Sequence, residues 1–172
     1  MRYALRKQVV PAGQTAIRLW IDSGSLNETD DQRGLAHFLE HMAFNGSKAV
    51  PEGDMIKTQE PLGLAFGHDT NASTDFNETI YKPDLPRTNE ETVDTSLMLL
   101  REAAGNLLID PGAVDRGRGV VMSEERSRDN PAYRVYRQRL EFLLKGQRPP
   151  TRLPIGQVEV LKAAPAEQIR DY

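Results

Sequence analysis

The chain has 172 residues, 38% of them hydrophobic and 27% charged, with 22 basic against 25 acidic side chains, a net charge of −3 and no cysteine. That length suits one domain with its own core. The slight negative charge gives no basic footprint for a nucleic acid, and the missing cysteines exclude disulfides and thiolate metal sites. No stretch approaches the roughly 20 apolar residues of a membrane span, and no apolar leader precedes the body.

Arg2 to Lys7 reads as a short strand and Pro11 to Gly13 as a turn. Thr15 to Asp22 reads as a second strand, because Ile17, Leu19 and Ile21 alternate with Arg18, Trp20 and Asp22. Asp30 and Asp31 then offer N-cap oxygens to a helix in which Leu35, Phe38, Leu39 and Met42 recur at helical spacing, and Asn45-Gly46 stops it. Pro51-Glu-Gly-Asp54 opens another helix, ended early by Pro61 and Gly63. Thr70–Thr74 and Glu78–Lys82 read as two strands around a turn at Asp75 to Asn77.

Asn89 caps a helix through Leu108, with Val93, Leu97, Leu100, Ala104 and Leu107 as its apolar face. Asp110-Pro111 begins the next helix, which runs to about Arg126. Asn130-Pro131 breaks it, and a further helical run carrying Tyr136, Leu140 and Leu143 reaches Lys145-Gly146. Gln147 to Gly156 is a proline-rich loop, followed by a short helix and a Pro165-led turn. Strands gather early and helices late, with no repeat and no linker. The expected fold is α+β, a mixed or antiparallel sheet packed against helices, in one domain over 1–172.

The chemistry concentrates at His37-Phe-Leu-Glu40-His41, which holds two of the chain's three histidines. On a helix these spacings put both imidazoles and the carboxylate on one face. Two neutral imidazoles and a third ligand make a zinc site with one open position. A carboxylate beside it that does not bind the metal can take a proton from the attacking water. The plainer alternative is a pair of solvent-facing histidines with Glu40 as an ordinary neighbour. The remaining histidine, His68, sits in a Gly-His-Asp loop and reads as a turn residue. Better third ligands lie on the helix after Pro111, where Val120 and Val121 set the buried side and Glu124 follows at helical spacing. Glu125 is nearly as well placed, and Glu124-Glu125-Arg126 also reads as a charged surface patch, so spacing alone does not choose.

The order His-x-x-Glu-His is the reversed zincin signature. Its setting, Gly34-Leu-Ala-His-Phe-Leu-Glu-His-Met-Ala-Phe-Asn-Gly46, resembles the insulinase/pitrilysin (M16) family of zinc peptidases, relatives of the mitochondrial processing peptidase. So do Gly24-Ser25 with Glu28, Asn71-Ala-Ser-Thr74 with Tyr81, Arg118-Gly-Val-Val-Met-Ser-Glu124, and Leu153-Pro-Ile-Gly156. The resemblance implies Zn2+ held by His37, His41 and Glu124, with Glu40 as general base. It also implies an edge strand at Asn71 and Ala72 that receives the peptide substrate as an added β-strand.

One position departs from the pattern: where family members carry a glutamate seven residues before the ligand glutamate, this chain has Gly117. Such outer-sphere losses typically cost about 10–100-fold in metal affinity or activity. The resemblance further implies a clamshell of several related domains, so that 1–172 is the first domain of a larger protein, incomplete near Tyr172. Further M16-type domains or a partner subunit then complete the enzyme, and the style of first domain points to the bacterial periplasm. The competing reading is a non-catalytic subunit or scaffold with the same fold. A third is a metallohydrolase acting on other amides or esters.

Overall fold

A computed structural model describes residues 1–172. β4 (Thr79–Leu85) is the centre of a four-stranded antiparallel sheet. On one side it pairs with β3 (Thr70–Thr74), with Ala72 opposite Tyr81 and Thr74 opposite Thr79. On the other it pairs with β2 (Leu19–Ile21) and β1 (Thr15–Ala16). β1 and β2 share one register, so the expected strand over Thr15 to Asp22 exists but is interrupted. The cause is Pro83, which faces the break. It accepts from the Ile17 amide at 2.9 Å but has no N–H to return. Arg18 Nη1 donates to the Ile17 carbonyl at 2.7 Å instead, so the orphaned acceptor is satisfied by its neighbour's side chain. Arg2 to Lys7 forms no strand. The run is exposed and finds no ladder partner, and a short apolar–basic sequence has nothing else to hold it extended.

α1 (Leu35–Met42) follows the sequence reading in place but not in its cap. Asp30 and Asp31 lie in a separate 3₁₀ turn, Asp30–Gln32. The α1 N-terminus is capped from a distance by Glu28, whose Oε1 accepts the Ala36 amide at 3.0 Å. Gly34, the residue before the helix, has φ +102°, and a Cβ there would stand 2.8 Å from the Gly156 Cα. The C-terminal loop therefore presses backbone to backbone against the start of α1. After α2 (Asp54–Gln59) and the sheet comes α3 (Glu90–Gly105), capped by Asn89 Oδ1 on the Thr92 amide at 2.8 Å.

The buried stripe of α3 is Thr92, Ser96, Leu99 and Glu102, whereas Leu97 is 49% exposed. The apolar face expected from hydrophobicity is therefore displaced. Polar groups can go inside because they are bonded there: Ser96 Oγ donates to the Thr92 carbonyl at 2.8 Å, and Glu102 accepts from the Ala49 amide at 2.9 Å and from Asn106 Nδ2 at 2.7 Å. The helix also ends before Leu108, because Leu107 leaves it to bridge Ser47.

α4 (Pro111–Arg128) is capped by Asp110 and buries Ala113, Val114, Gly117 and Val121. Val120 is 56% exposed, so only one of the two valines marks the inner side. α5 (Pro131–Leu143) buries no residue, and it stops before Lys145. α6 (Val158–Ala163) and α7 (Ala166–Asp171) close the chain. The main core joins Leu35, Phe38 and Met42 of α1 to Val114 and Val121 of α4 and Leu161 and Ile169 of α6 and α7. Arg118 binds α4 to α6, donating to the Leu161 carbonyl and, at 2.7 Å, to the Ala164 carbonyl.

Candidate metal centre

Phe38 and Met42 pin one side of α1 into the core, which turns His37 and His41 toward α4. Their Nε2 atoms lie 3.1 Å apart. On α4, Val121 faces inward and Glu124 stands one turn beyond it, reaching the same point. Its Oε2 is 3.4 Å from His37 Nε2 and 3.3 Å from His41 Nε2. His37, His41 and Glu124 thus converge, with donor atoms all within 4.8 Å of one another. A triangle of this size has a point about 2 Å from every corner, the distance zinc keeps from nitrogen and carboxylate oxygen. Two imidazoles with a carboxylate are also a donor set zinc prefers, so the residues fit the ion.

The electrostatics agree. The His37 bond, outweighing burial and aided by Arg128, holds the Glu124 carboxyl down at about 2. Arg128 Nη2 takes the other oxygen of Glu124 at 2.5 Å. Burial, then neighbouring His37, lowers the pKa of His41, favouring the neutral imidazole a metal requires. Glu125, one residue on, turns away into a polar cleft beside Tyr133 and Arg137. His68 is also elsewhere: it is exposed in its turn, with Nδ1 2.6 Å from Asp69 Oδ1.

Glu40 is buried on α1 but is not one of the three converging donors. Its Oε2 accepts from Thr74 Oγ1 at 2.6 Å. Thr74 Oγ1 lies 3.3 Å from Thr79 Oγ1, whose hydroxyl donates to the Ser23 carbonyl at 3.0 Å. Tyr81 lies on the same wall, its phenol raised by burial and then by Glu40. Asn71 and Ala72 stand on β3, whose ladder partner is β4; Phe66 bridges Thr70 at the start of its other edge, which is open beyond that point. The Ala72 amide donates to Asn71 Oδ1 at 2.8 Å.

Gly117 lies inside the α1–α4 contact, where a Cβ would meet Met42 Sδ at 3.2 Å and Phe38 Cε2 at 3.4 Å. The glycine that departs from the family pattern therefore lets the two helices that carry the converging donors approach. Asn45 fills the polar space alongside, its Nδ2 donating to the His41 carbonyl at 3.0 Å. The sequence reading missed Thr74 and Arg128 as neighbours of the site. Arg128 had a local signal, the i, i+4 spacing from Glu124. Thr74, 34 residues from Glu40, had no local signal, only its place in the Asn71–Thr74 stretch that resembles the family.

Residues 4–147 match the model of the insulinase family, peptidase family M16. The chain belongs to that family. It is 38% identical over its whole length to the probable zinc protease PqqL of Haemophilus influenzae, and 35% identical to that of Escherichia coli. It spans 19% and 18% of those proteins, about a fifth of their length. The crystal structure of the first half of the periplasmic protease PqqL from Escherichia coli superposes with a TM-score of 0.90 at 36% identity, over 94% of this chain and 34% of that one. The α+β fold is that of M16 peptidase domains.

Proposed function

We propose that this chain carries the zinc-binding part of an M16 peptidase site that hydrolyses extended peptides, with His37, His41 and Glu124 as ligands and Glu40 as general base. The observation that carries this reading is the convergence of three donor atoms separated by 3.1 to 3.4 Å. Zinc, when bound, supplies a Lewis acid that acidifies water and polarises the scissile carbonyl.

Glu40 accepts the proton of the attacking water and delivers it to the leaving amine. The Thr74 hydroxyl occupies its Oε2, so Oε1 is the oxygen free to do so. Asn71 and Ala72 take the substrate as an added strand on the open edge of β3, where main-chain bonds read an extended peptide without regard to its side chains. For this the Ala72 amide exchanges Asn71 Oδ1 for a substrate carbonyl.

In the same proposal, residues 1–172 are one domain of a longer protein or of an assembly, and further M16-type domains complete the substrate chamber. Periplasmic location is part of it as well. Gly117 favours one alternative, a non-catalytic subunit of the same fold. Zinc content of the purified protein, with His41→Ala and Glu124→Gln beside it, tests the site. Peptide hydrolysis by the full-length protein, with Glu40→Gln beside it, tests the chemistry. Near one zinc per chain, lost in both ligand variants, and hydrolysis lost in Glu40→Gln with zinc retained support the proposal. Zinc retained after loss of either ligand defeats it.

A further inference from the structure

His37 presents Nε2 to His41 and Glu124, which leaves Nδ1 facing the other way. That atom is buried and bonds nothing in the protein. Glu28, a fully buried residue, lies near enough to His37 for their charges to act on one another. One oxygen of Glu28, Oε1, holds the Ala36 amide, the residue just before His37; the Gly34 amide also acts on the carboxyl, but the other oxygen, Oε2, is buried and makes no well-formed hydrogen bond. The two orphaned atoms have complementary needs. A neutral imidazole that offers Nε2 as an acceptor carries its hydrogen on Nδ1 and requires an acceptor there, and a carboxylate oxygen requires a donor. No direct ion pair joins them, although each lies within the other's electrostatic reach.

Glu28 is held firmly enough to serve. Its carbonyl accepts from Arg148 Nη2 at 2.7 Å and from Arg152 Nε at 3.0 Å, so the C-terminal loop clamps the residue from behind. Burial outweighs the amide bonds it receives and pushes its carboxyl up to about 7, which a second donor would relieve.

We propose that Glu28 is a positioning residue for the metal ligand His37, its Oε2 receiving the Nδ1–H of His37 through one enclosed water. The carboxylate then fixes the tautomer and ring orientation that aim Nε2 at the metal, and it raises the basicity of that nitrogen. Metal-ligating histidines almost always donate their second N–H in this way, and losing the acceptor typically costs about 10–100-fold in metal affinity. The inference rests on the reading of His37 as a zinc ligand.

Glu28→Gln in the full-length protein separates positioning from capping. The amide oxygen can still hold the Ala36 N–H, while the NH2 that replaces the second oxygen can only donate. Zinc affinity, measured by competition with a chelator, is expected to fall about 10–100-fold, while the melting temperature of the metal-free protein does not fall below the parent's. Affinity within about twofold of the parent overturns the inference and leaves Glu28 a helix cap alone. A parent that binds no zinc overturns the metal reading itself, a distinct outcome. Should the variant fail to fold, a zinc-loaded crystal structure of the parent decides. A water within hydrogen-bond distance of both Glu28 Oε2 and His37 Nδ1 is expected, and its absence overturns the proposal.

Discussion

The two walls of the site are held by different forces. On the helical wall, His37, His41 and Glu124 stand on α1 and α4, which meet through Phe38, Met42 and Val121, residues no more than 1% exposed. On the strand wall, Thr74 and Ala72 belong to β3, a strand of half-buried and exposed residues with an open edge. The helical wall gets its geometry from dry packing, which is stiff and indifferent to what binds. The strand wall gets it from hydroxyl and amide bonds at a strand edge, which in the proposed function a peptide replaces. A metal needs donors held to a few tenths of an ångström, while an incoming peptide needs an edge that can yield. The two constructions suit the metal and the peptide of the proposed function.

The largest effects are expected on the helical wall. His41→Ala removes one of three donors, and zinc per chain should drop from near one to near zero; elemental analysis reads this directly. Phe38→Ala leaves the α1–α4 contact hollow beneath Gly117 and Arg118. It should destabilise the fold by about 3–5 kcal/mol in urea titrations, as large-to-small changes in a core do. If zinc affinity survives that loss unchanged, the ligand geometry does not depend on packing and the contrast between the walls fails.

Glu28 supplies a pH signature at the base of the same wall. Its carboxyl is raised from 4.5 to about 7 by burial. The folded chain therefore keeps a proton that the unfolded chain releases, and folding stability falls as pH rises from 4.5 through about 7. The full step is at most about 3 kcal/mol. Denaturation midpoints of the metal-free protein across this range should flatten in Glu28→Gln relative to the parent.

Gly117 sharpens the comparison from the other direction. Restoring the glutamate that the resemblance expects there would force a long side chain between Met42, Phe38 and Asn45. Gly117→Glu should therefore lower stability by about 1–3 kcal/mol, the usual cost of overpacking, and weaken zinc binding rather than strengthen it. Gly117→Ala should come out near neutral. Its gain in helix propensity of about 1 kcal/mol is offset by the tight approach to Met42 Sδ.

How much of this the sequence discloses depends on how far apart the cooperating residues lie. The His37–His41 spacing, the Asn89 cap, the Asp110-Pro111 helix start, the Asn130-Pro131 break and the alternation from Ile17 to Asp22 are all local, and all are legible. The stripe of α3 is not, because Ser96 and Glu102 are buried by virtue of bonds that hydrophobicity does not count. Nor is the cap of α1, which comes from Glu28 and not from the nearer Asp30 and Asp31. Spacing does not choose Glu124 over Glu125, because Val120 and Val121 are equally apolar and only the fold shows that Val121 alone is inside. Thr74 and Glu40 are joined solely by the fold.

That last pair gives the smallest and most specific test of the strand wall. Thr74 Oγ1 is a donor within 2.6 Å of a buried carboxylate, and hydrogen bonds to charged groups contribute about 1.5–3 kcal/mol. Thr74→Val keeps the β-branched shape and removes the hydroxyl, leaving Glu40 Oε2 without its partner and the carboxylate free to rotate. Because Thr74 touches neither His37, His41 nor Glu124 through a polar contact, zinc content should stay at the parental level. In the full-length enzyme kcat should fall by about tenfold, the low end of that energy, with KM nearly unchanged. Thr74→Ser, which restores the donor without the methyl group, should recover most of the rate. Loss of zinc in Thr74→Val would mean that the strand wall also shapes the metal site. A rise in KM without a fall in kcat would mean that Thr74 serves the peptide and not the base.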